Sequence, residues 1–230
     1  MTEFEKKMLL TKDEYEHLMD FFSNLYPSGK LSSTKQINYY FDTDKLDMNR
    51  QNITCRVRYK DGQYKGMMKR HHSDTLKSTE EEMELYDGVT NNSFIDMGME
   101  MYGSMTTERC VVLENVGLVV VLDKNKYLGF VDYELEIEYL PANEAEARII
   151  FHCLTTELMV WHLMHKSKDE FTQSKTTLNK SNRFFDKYTI INQKKQTNLS
   201  ERADREESCC AAYKPENCDP DAYLKKYTEN

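Results

Sequence analysis

The sequence predicts an α+β domain built around antiparallel sheet, and three observations carry that reading. Charged residues recur at every second position in several runs, and alternate residues of a strand share a face. The runs segregate by sign, one basic and others acidic. Asp61-Gly62 between two such runs is a hairpin signal.

The elements follow in order. Glu3-Phe4-Glu5-Lys6-Lys7 places Glu3, Glu5 and Lys7 on one strand face and Phe4, Lys6 and Met8 on the other. Thr11-Lys12-Asp13-Glu14 predicts a helix start, with Thr11 as cap and Glu14 at the capping-box position. Tyr15, Leu18, Met19 and Phe22 continue it as an apolar stripe, and Pro27-Ser28-Gly29 ends it. A strand follows over residues 37–42. Arg56 and Arg58 alternate with Cys55, Val57 and Tyr59; Lys65, Met67 and Lys69 share one face of the next run, and Glu80, Glu82 and Glu84 one face of the run after it. Residues 92–105, rich in Met and Gly, hold a short helix. Arg109 opens a strand-like run to Leu113, and residues 119–123 end in Asp123. The most regular run is residues 133–139, with Glu134, Glu136 and Glu138 opposite Leu135, Ile137 and Tyr139. Residues 143–164 predict a helix with Ile149, Ile150, Cys153, Leu154 and Leu158 on its apolar side, and a last helix carries Ser181-Asn182-Arg183-Phe184-Phe185 onto the sheet. The domain is expected over residues 1–190. Residues 191–230, where aliphatics thin out among charges, Ser, Asn and Pro, are expected to form a flexible tail.

Two arrangements of these strands remain open at this point. An ordinary open sheet would wet its charged face and bury the apolar one. Three glutamates stacked on one strand face repel unless cations or metal ions neutralise them. A closed barrel with a charged interior meets that need, setting carboxylates for a divalent metal beside Arg and Lys for a polyanion.

Composition narrows the function. The chain has 230 residues and a formal net charge of -8, which argues against a nucleic-acid scaffold and its broadly basic face. A phosphate-bearing small ligand is still compatible, because a cleft focuses its own field. No apolar run has membrane-spanning length and no signal pattern opens the chain, so a cytoplasmic protein without membrane or duplex nucleic-acid partners is expected. Of six cysteines, Cys55, Cys110 and Cys153 read as small buried hydrophobes. Cys209, Cys210 and Cys218 lack the spacing of a structural zinc site. His71-His72 and His162-x-x-His165 have no third ligand at metal spacing and read as incidental. No phosphate-binding glycine loop is present, and nothing signals an oligomeric state.

The landmarks, taken together, carry a resemblance. Glu3-x-Glu5-x-Lys7 matches the ExExK signature of the CYTH superfamily, also called triphosphate tunnel metalloenzymes. Tyr40-Phe41-Asp42-Thr43, Arg56-x-Arg58, Lys69, Glu82-x-Glu84, Arg109, Asp123, Glu134-x-Glu136-x-Glu138 and Lys180-x-x-Arg183-Phe184 follow in the family's order. The resemblance covers roughly residues 2–188 and is nearest to the short single-domain bacterial members. Gly66-Met67-Met68-Lys69 departs from the family's Leu-Thr-Leu-Lys-like run, and the cysteine-bearing tail lies outside its pattern. The resemblance implies an eight-stranded antiparallel β-barrel, the triphosphate tunnel, with flanking helices, bound Mg²⁺ or Mn²⁺, and a small triphosphate substrate.

Residue chemistry is consistent with that expectation. Hard divalent cations take oxygen ligands, and Glu3, Glu5, Asp123, Glu134 and Glu136 are the expected metal ligands, with Glu138 in reserve. Arg56 and Arg58 grip phosphate oxygens with planar forks, while Lys69, Arg109 and Lys180 add charge. Lys7, partnered by Tyr40, positions or deprotonates the attacking water. Hydrolysis of inorganic tripolyphosphate is the expected reaction. A class IV-type adenylyl cyclase, a thiamine triphosphatase and a non-catalytic polyphosphate- or nucleotide-binding module are its alternatives.

Overall fold

Eight antiparallel strands form a closed barrel; two apolar clusters pack on its outside and a third fills one end. The computed structural model describes residues 2–26, 31–72, 77–165 and 179–194, with side chains from Phe4 onward. In chain order the elements are β1 (Thr2–Leu10), α1 (Lys12–Leu25), β2 (Ser32–Asp42), α2 (Asp47–Arg50), β3 (Ile53–Lys60), β4 (Gln63–His71), β5 (Lys77–Met83), β6 (Leu85–Asp87), β7 (Asn91–Asn92), α3 (Ser93–Asp96), β8 (Glu100–Asn115), β9 (Leu118–Tyr127), β10 (Phe130–Tyr139) and α4 (Glu144–His165). Residues 180–194 form α5. The barrel closes in the order β1-β10-β9-β8-β2-β3-β4-β5, and β6 and β7 make a separate hairpin. The eight-stranded antiparallel barrel implied by the resemblance is therefore present. The chain divides into two units, residues 1–186 and 187–230; of the second, residues 187–194 are described and are helical. The expected tail ending of α1 at Pro27-Ser28-Gly29, and Cys209, Cys210 and Cys218, lie outside the described residues.

Alternation explains how the barrel is filled. Leu122, Leu135, Ile137 and Val120 face outward and are buried with Leu18, Phe22, Ala147, Leu154 and Leu158 of α1 and α4. Each of the Val, Leu, Ile and Phe side chains among these contributes roughly 1.5–3 kcal/mol on burial. The capping box at Thr11 forms as expected: Thr11 Oγ1 accepts from the Glu14 amide at 3.2 Å, and Glu14 Oε2 accepts from the Thr11 amide at 2.6 Å. Two expectations for α4 fail. Ile149 is 65% exposed and Cys153 is exposed, because Ala147, Leu154 and Leu158 set the buried stripe. The helix is apolar on more than one side, so spacing alone does not choose that stripe.

On the opposite side, Phe41, Ile53, Cys55 and Val57 are covered by Phe94 and Met99. Arg109 lies in the middle of the long β8 instead of opening a strand. Register shifts between Tyr40 and Phe41 where they pair with Gly103 and Met101, so Tyr102 is the extra residue of a bulge. Gly103 has φ +142, and a Cβ there would stand 3.0 Å from Phe184 Cζ. Asp42 is buried and orders the next turn, accepting from the Thr43 and Met48 amides at Oδ1 and the Asn49 amide at Oδ2 (2.8–2.9 Å).

Candidate active site

With apolar side chains outside, the opposite parity of each strand turns charge inward. The enclosed cavity is lined by Glu5 and Lys7 of β1, Arg56 and Arg58 of β3, Lys69 and His71 of β4, Glu80 of β5, Arg109 of β8, and Glu136 and Glu138 of β10. The start of α5 stops one end of the barrel: Asn179, Lys180 and Ser181 line the cavity, Ser181 Oγ lies 2.6 Å from Thr54 Oγ1, and Arg183 ties to Asp132 and Glu134. Phe184 and Phe185 anchor this stop among Tyr40, Met105 and Tyr127.

The cavity is polarised into two walls. On β9 and β10 the cations are held tightly. Lys180 Nζ sits 2.7 Å from Glu136, 3.0 Å from Glu134 and 3.0 Å from Asp123. Arg109 grips Asp123 with two bonds of 2.9 and 2.7 Å, reaches Glu138 at 2.7 Å and also contacts Glu136. Burial alone would raise the Glu136 carboxyl, but Lys180, Arg109 and Lys7 outweigh it and hold it well below the usual range. Burial likewise lowers Lys180, and Glu134, Glu136 and Asp123 reverse the effect and raise it.

On β3 and β4 the cations are held loosely. Arg56 reaches Glu80 at 3.4 Å, and Lys69 reaches Glu80 at 3.5 Å and Glu5 at 3.6 Å. Among the described residues, the one polar contact of the Arg58 side chain is its Nε donating to Asn38 Oδ1 at 2.8 Å. Burial and the neighbouring Arg56 and Arg109 press its pKa down to about 9. Also among the described residues, Arg56 Nε, Asn38 Nδ2 and Ser78 Oγ are buried without a hydrogen-bond partner. Of these, Arg56 Nε is an obligate donor on a side chain that lines the cavity, so this wall holds unused hydrogen-bond capacity suited to an anion.

Lys7 donates to Glu5 Oε1 at 2.7 Å, and its register partner is Glu136. Burial raises the Glu5 carboxyl, but Lys69 and Lys7 prevail and lower it. Tyr40 is buried, its hydroxyl 3.7 Å from Met105 Sδ. Burial raises its phenol against the pull of Arg56 and Lys180, so the hydroxyl stays protonated near neutral pH.

Of the expected site residues, Glu5, Lys7, Tyr40, Arg56, Arg58, Lys69, Arg109, Glu136 and Lys180 line the one cavity. Asp123 and Glu134 lie beneath it, buried and paired. Glu3 is in β1 opposite Ser78, and its side chain lies outside the described residues. The Glu82-x-Glu84 landmark needs correction: Glu80 lines the cavity, Glu82 is exposed, and β5 ends at Met83 before Glu84. His71 is corrected too. It ends β4, faces inward, and lies 3.2 Å from Thr54 Oγ1 through Nε2. Burial, then Lys69 and Lys7, press its pKa to about 3. Nothing local in sequence marks His71, because its partner sits on the neighbouring strand.

The carboxylates offer the all-oxygen donor set that Mg²⁺ or Mn²⁺ takes. Among the described residues no group of three acidic, His or Cys side chains is set to hold a metal ion; Asp123, Glu134 and Glu136, which do converge, close on the Lys180 ammonium. Mg²⁺ is generally bound by one or two carboxylates together with substrate oxygens and waters.

Known proteins share this architecture. Over 180 residues the chain is 29% identical to YjbK of Bacillus subtilis (strain 168), provisionally named a triphosphatase, spanning 72% of this chain and 91% of that protein. A solved structure from Bacillus halodurans, provisionally named an adenylate cyclase, matches with a TM-score of 0.54 at 23% identity, covering 80% of this chain and 97% of that one. HpAC1 from Hippeastrum, provisionally an adenylyl cyclase and described with a dominant triphosphatase activity, matches at 0.50 and 16% identity, covering 80% and 95%. These two likenesses show the fold. The CYTH domain model matches residues 1–164, and the chain belongs to the CYTH domain family.

Proposed function

We propose that this protein is a metal-dependent triphosphatase that hydrolyses inorganic tripolyphosphate inside its barrel. Family membership and the likeness to YjbK support the triphosphatase reading. The observation that carries the substrate class is the loosely held basic wall of Arg56, Arg58 and Lys69, with the unused Arg56 Nε donor, facing the carboxylates of β1 and β10. The cavity lining is charged or polar apart from Tyr40, which matches an inorganic phosphate chain better than a nucleobase.

Arg56, Arg58 and Lys69 bind the phosphate oxygens. Each charge-assisted hydrogen bond is worth about 1.5–3 kcal/mol. Glu5 and Glu136, with the more accessible Glu138, would hold Mg²⁺ or Mn²⁺, and Glu3 is a further candidate ligand. When bound, such an ion neutralises phosphate charge and supplies a water of lowered pKa. Asp123 and Glu134 act as counter-charges that hold Arg109 and Lys180 in place. Lys180, aimed in from α5, stabilises charge developing on the terminal phosphoryl group. Lys7, bridged to Glu5, positions the attacking water, and Tyr40 fixes the wall behind it.

The test incubates purified protein with Mg²⁺ or Mn²⁺ and tripolyphosphate, thiamine triphosphate or ATP in parallel. Orthophosphate released fastest from tripolyphosphate is the expected result. Pyrophosphate with a cyclic nucleotide from ATP would replace this reading with the cyclase, and binding without turnover would replace it with a binding module.

A further inference from the structure

Arg58 and Arg109 have equivalent places in the barrel wall but different partners. Each stands directly opposite a polar residue of the neighbouring strand: Arg109 of β8 faces Asp123 of β9, and Arg58 of β3 faces Asn38 of β2. Asp123 takes Arg109 by both Nε, at 2.9 Å, and Nη2, at 2.7 Å. Among the described residues, Asn38 takes Arg58 by Nε alone, at 2.8 Å. A guanidinium only donates, so this bond settles which end of the Asn38 amide is Oδ1. Asn38 is fully buried, and its Nδ2 has no hydrogen-bond partner among the described residues. Its register partner on the other side, in β8, is the buried Met105, whose thioether is a weak acceptor. Leaving a buried amide donor unsatisfied costs stability. An aspartate in its place would strand no donor and would neutralise Arg58, so the amide is not there for the fold.

We infer that Asn38 is a positioning residue for the triphosphatase reaction: it aims Arg58 through Nε and leaves the terminal nitrogens and the full positive charge to the substrate. The inference rests on the reading above, in which Arg58 binds phosphate. A carboxylate opposite an arginine makes the closed clamp seen at Arg109. An amide in the same register holds the side chain without filling its fork or cancelling its charge. Arg58 is thereby set for bidentate contact with phosphate oxygens, and a side chain oriented in advance loses less entropy on binding. Arg58 lines the cavity, whereas Asn38 lies outside its lining. Asn38 therefore touches no substrate, and its effect passes through Arg58. The choice of Asn over Asp at this one position decides whether the facing arginine is a ligand or a strut.

The experiment reads calorimetric binding of tripolyphosphate, orthophosphate release and thermal unfolding on the full chain. The variants are Asn38→Asp, Asn38→Ala, Arg58→Met and the Asn38→Ala/Arg58→Met pair. Asn38→Asp is expected to weaken tripolyphosphate binding by about tenfold or more, raising KM while kcat is kept. Its melting temperature is expected to rise, because the new carboxylate clamps Arg58. A residue serving only the fold would instead move binding and melting temperature down together. Asn38→Ala is expected to weaken binding alone and to add nothing once Arg58 is replaced, since such a cycle isolates the pairwise effect. Wild-type affinity in Asn38→Asp, or a further loss on adding Asn38→Ala to Arg58→Met, would overturn the inference and leave the triphosphatase reading standing. If Asn38→Asp does not fold, the cycle through Asn38→Ala decides. A wild type that binds tripolyphosphate without releasing orthophosphate refutes the triphosphatase reading, and the affinity ratios still decide Asn38. A wild type that does not bind tripolyphosphate overturns both.

Discussion

Lys180 Nζ lies 2.7 Å from Glu136 Oε1, joining the first turn of α5 to β10 across the barrel. The same ammonium serves Glu134 and Asp123, and together with Arg109 and Arg183 it offsets the repulsion of these three carboxylates. Removing one partner from a buried pair leaves uncompensated charge and costs about 3–5 kcal/mol. Lys180→Met is expected to lower unfolding free energy by about that amount, measured by urea denaturation, and to abolish turnover.

Arg58 should behave in the opposite way. It is a half-buried guanidinium whose polar partner among the described residues is an amide, and charge withdrawn from water without a close counter-ion opposes folding. Arg58→Met is expected to leave stability unchanged or raise the melting temperature, while weakening tripolyphosphate binding by about tenfold or more. Calorimetry of binding and thermal unfolding on the same sample checks both. A destabilised variant with normal binding would contradict the division of the tunnel into tight and loose walls.

Much of that division was legible in the residues. Glu134, Glu136 and Glu138 alternate with Leu135, Ile137 and Tyr139, and Arg56 and Arg58 alternate with Val57, so parity identified which side chains share a wall. Parity does not say which face is inside; closure of the barrel and the apolar faces of α1 and α4 decide that. Glu80, Glu82 and Glu84 have the same parity, and only the end of β5 at Met83 separates the first from the last. The roles of Asp123 and Glu134 as counter-charges depend on α5 arriving from far along the chain, which no local pattern encodes. Lys180 and Arg183 were visible as a motif, but not the carboxylates they would meet.

His71 yields a pH prediction. Its folded pKa is pressed to about 3 from an ordinary value of 6.5, by burial first and then by Lys69 and Lys7. The unfolded chain therefore binds a proton between those values that the folded protein does not. Stability rises with pH where the unfolded state binds more protons, so this group removes stability as pH falls from 6.5 toward 3. His71→Gln keeps a polar partner for Thr54 and is expected to flatten that part of the profile. Urea midpoints at pH 5 and pH 7 would show a smaller difference for the variant than for the wild type; an equal difference would place the titration elsewhere.

Gly103 tests the stop at the end of the barrel. Its φ of +142 excludes β-branched residues, and a Cβ would press on Phe184 at 3.0 Å. Gly103→Val should cost about 1–3 kcal/mol from backbone strain and push α5 outward, taking Lys180 from its carboxylates. Activity should then fall further than stability alone explains, read as kcat on the fraction shown to be folded.

The acidic residues divide into two groups that metal binding can separate. Glu138 is 38% exposed at its side chain and has Arg109 as its partner, so its loss should leave the fold intact. Asp123 is buried beneath Arg109 and Lys180, and its loss strands two cations. If Glu5, Glu136 and Glu138 hold the ion, Glu138→Gln weakens Mn²⁺ binding by about tenfold or more with little change in melting temperature. Asp123→Asn should do the reverse, lowering the melting temperature while the folded fraction keeps most of its Mn²⁺ affinity. Paramagnetic titration with Mn²⁺, run beside thermal unfolding, distinguishes the two. Equal Mn²⁺ affinity in Glu138→Gln and the wild type would move the ion toward Asp123 and Glu134, and Lys180 would then have to leave those carboxylates when metal binds.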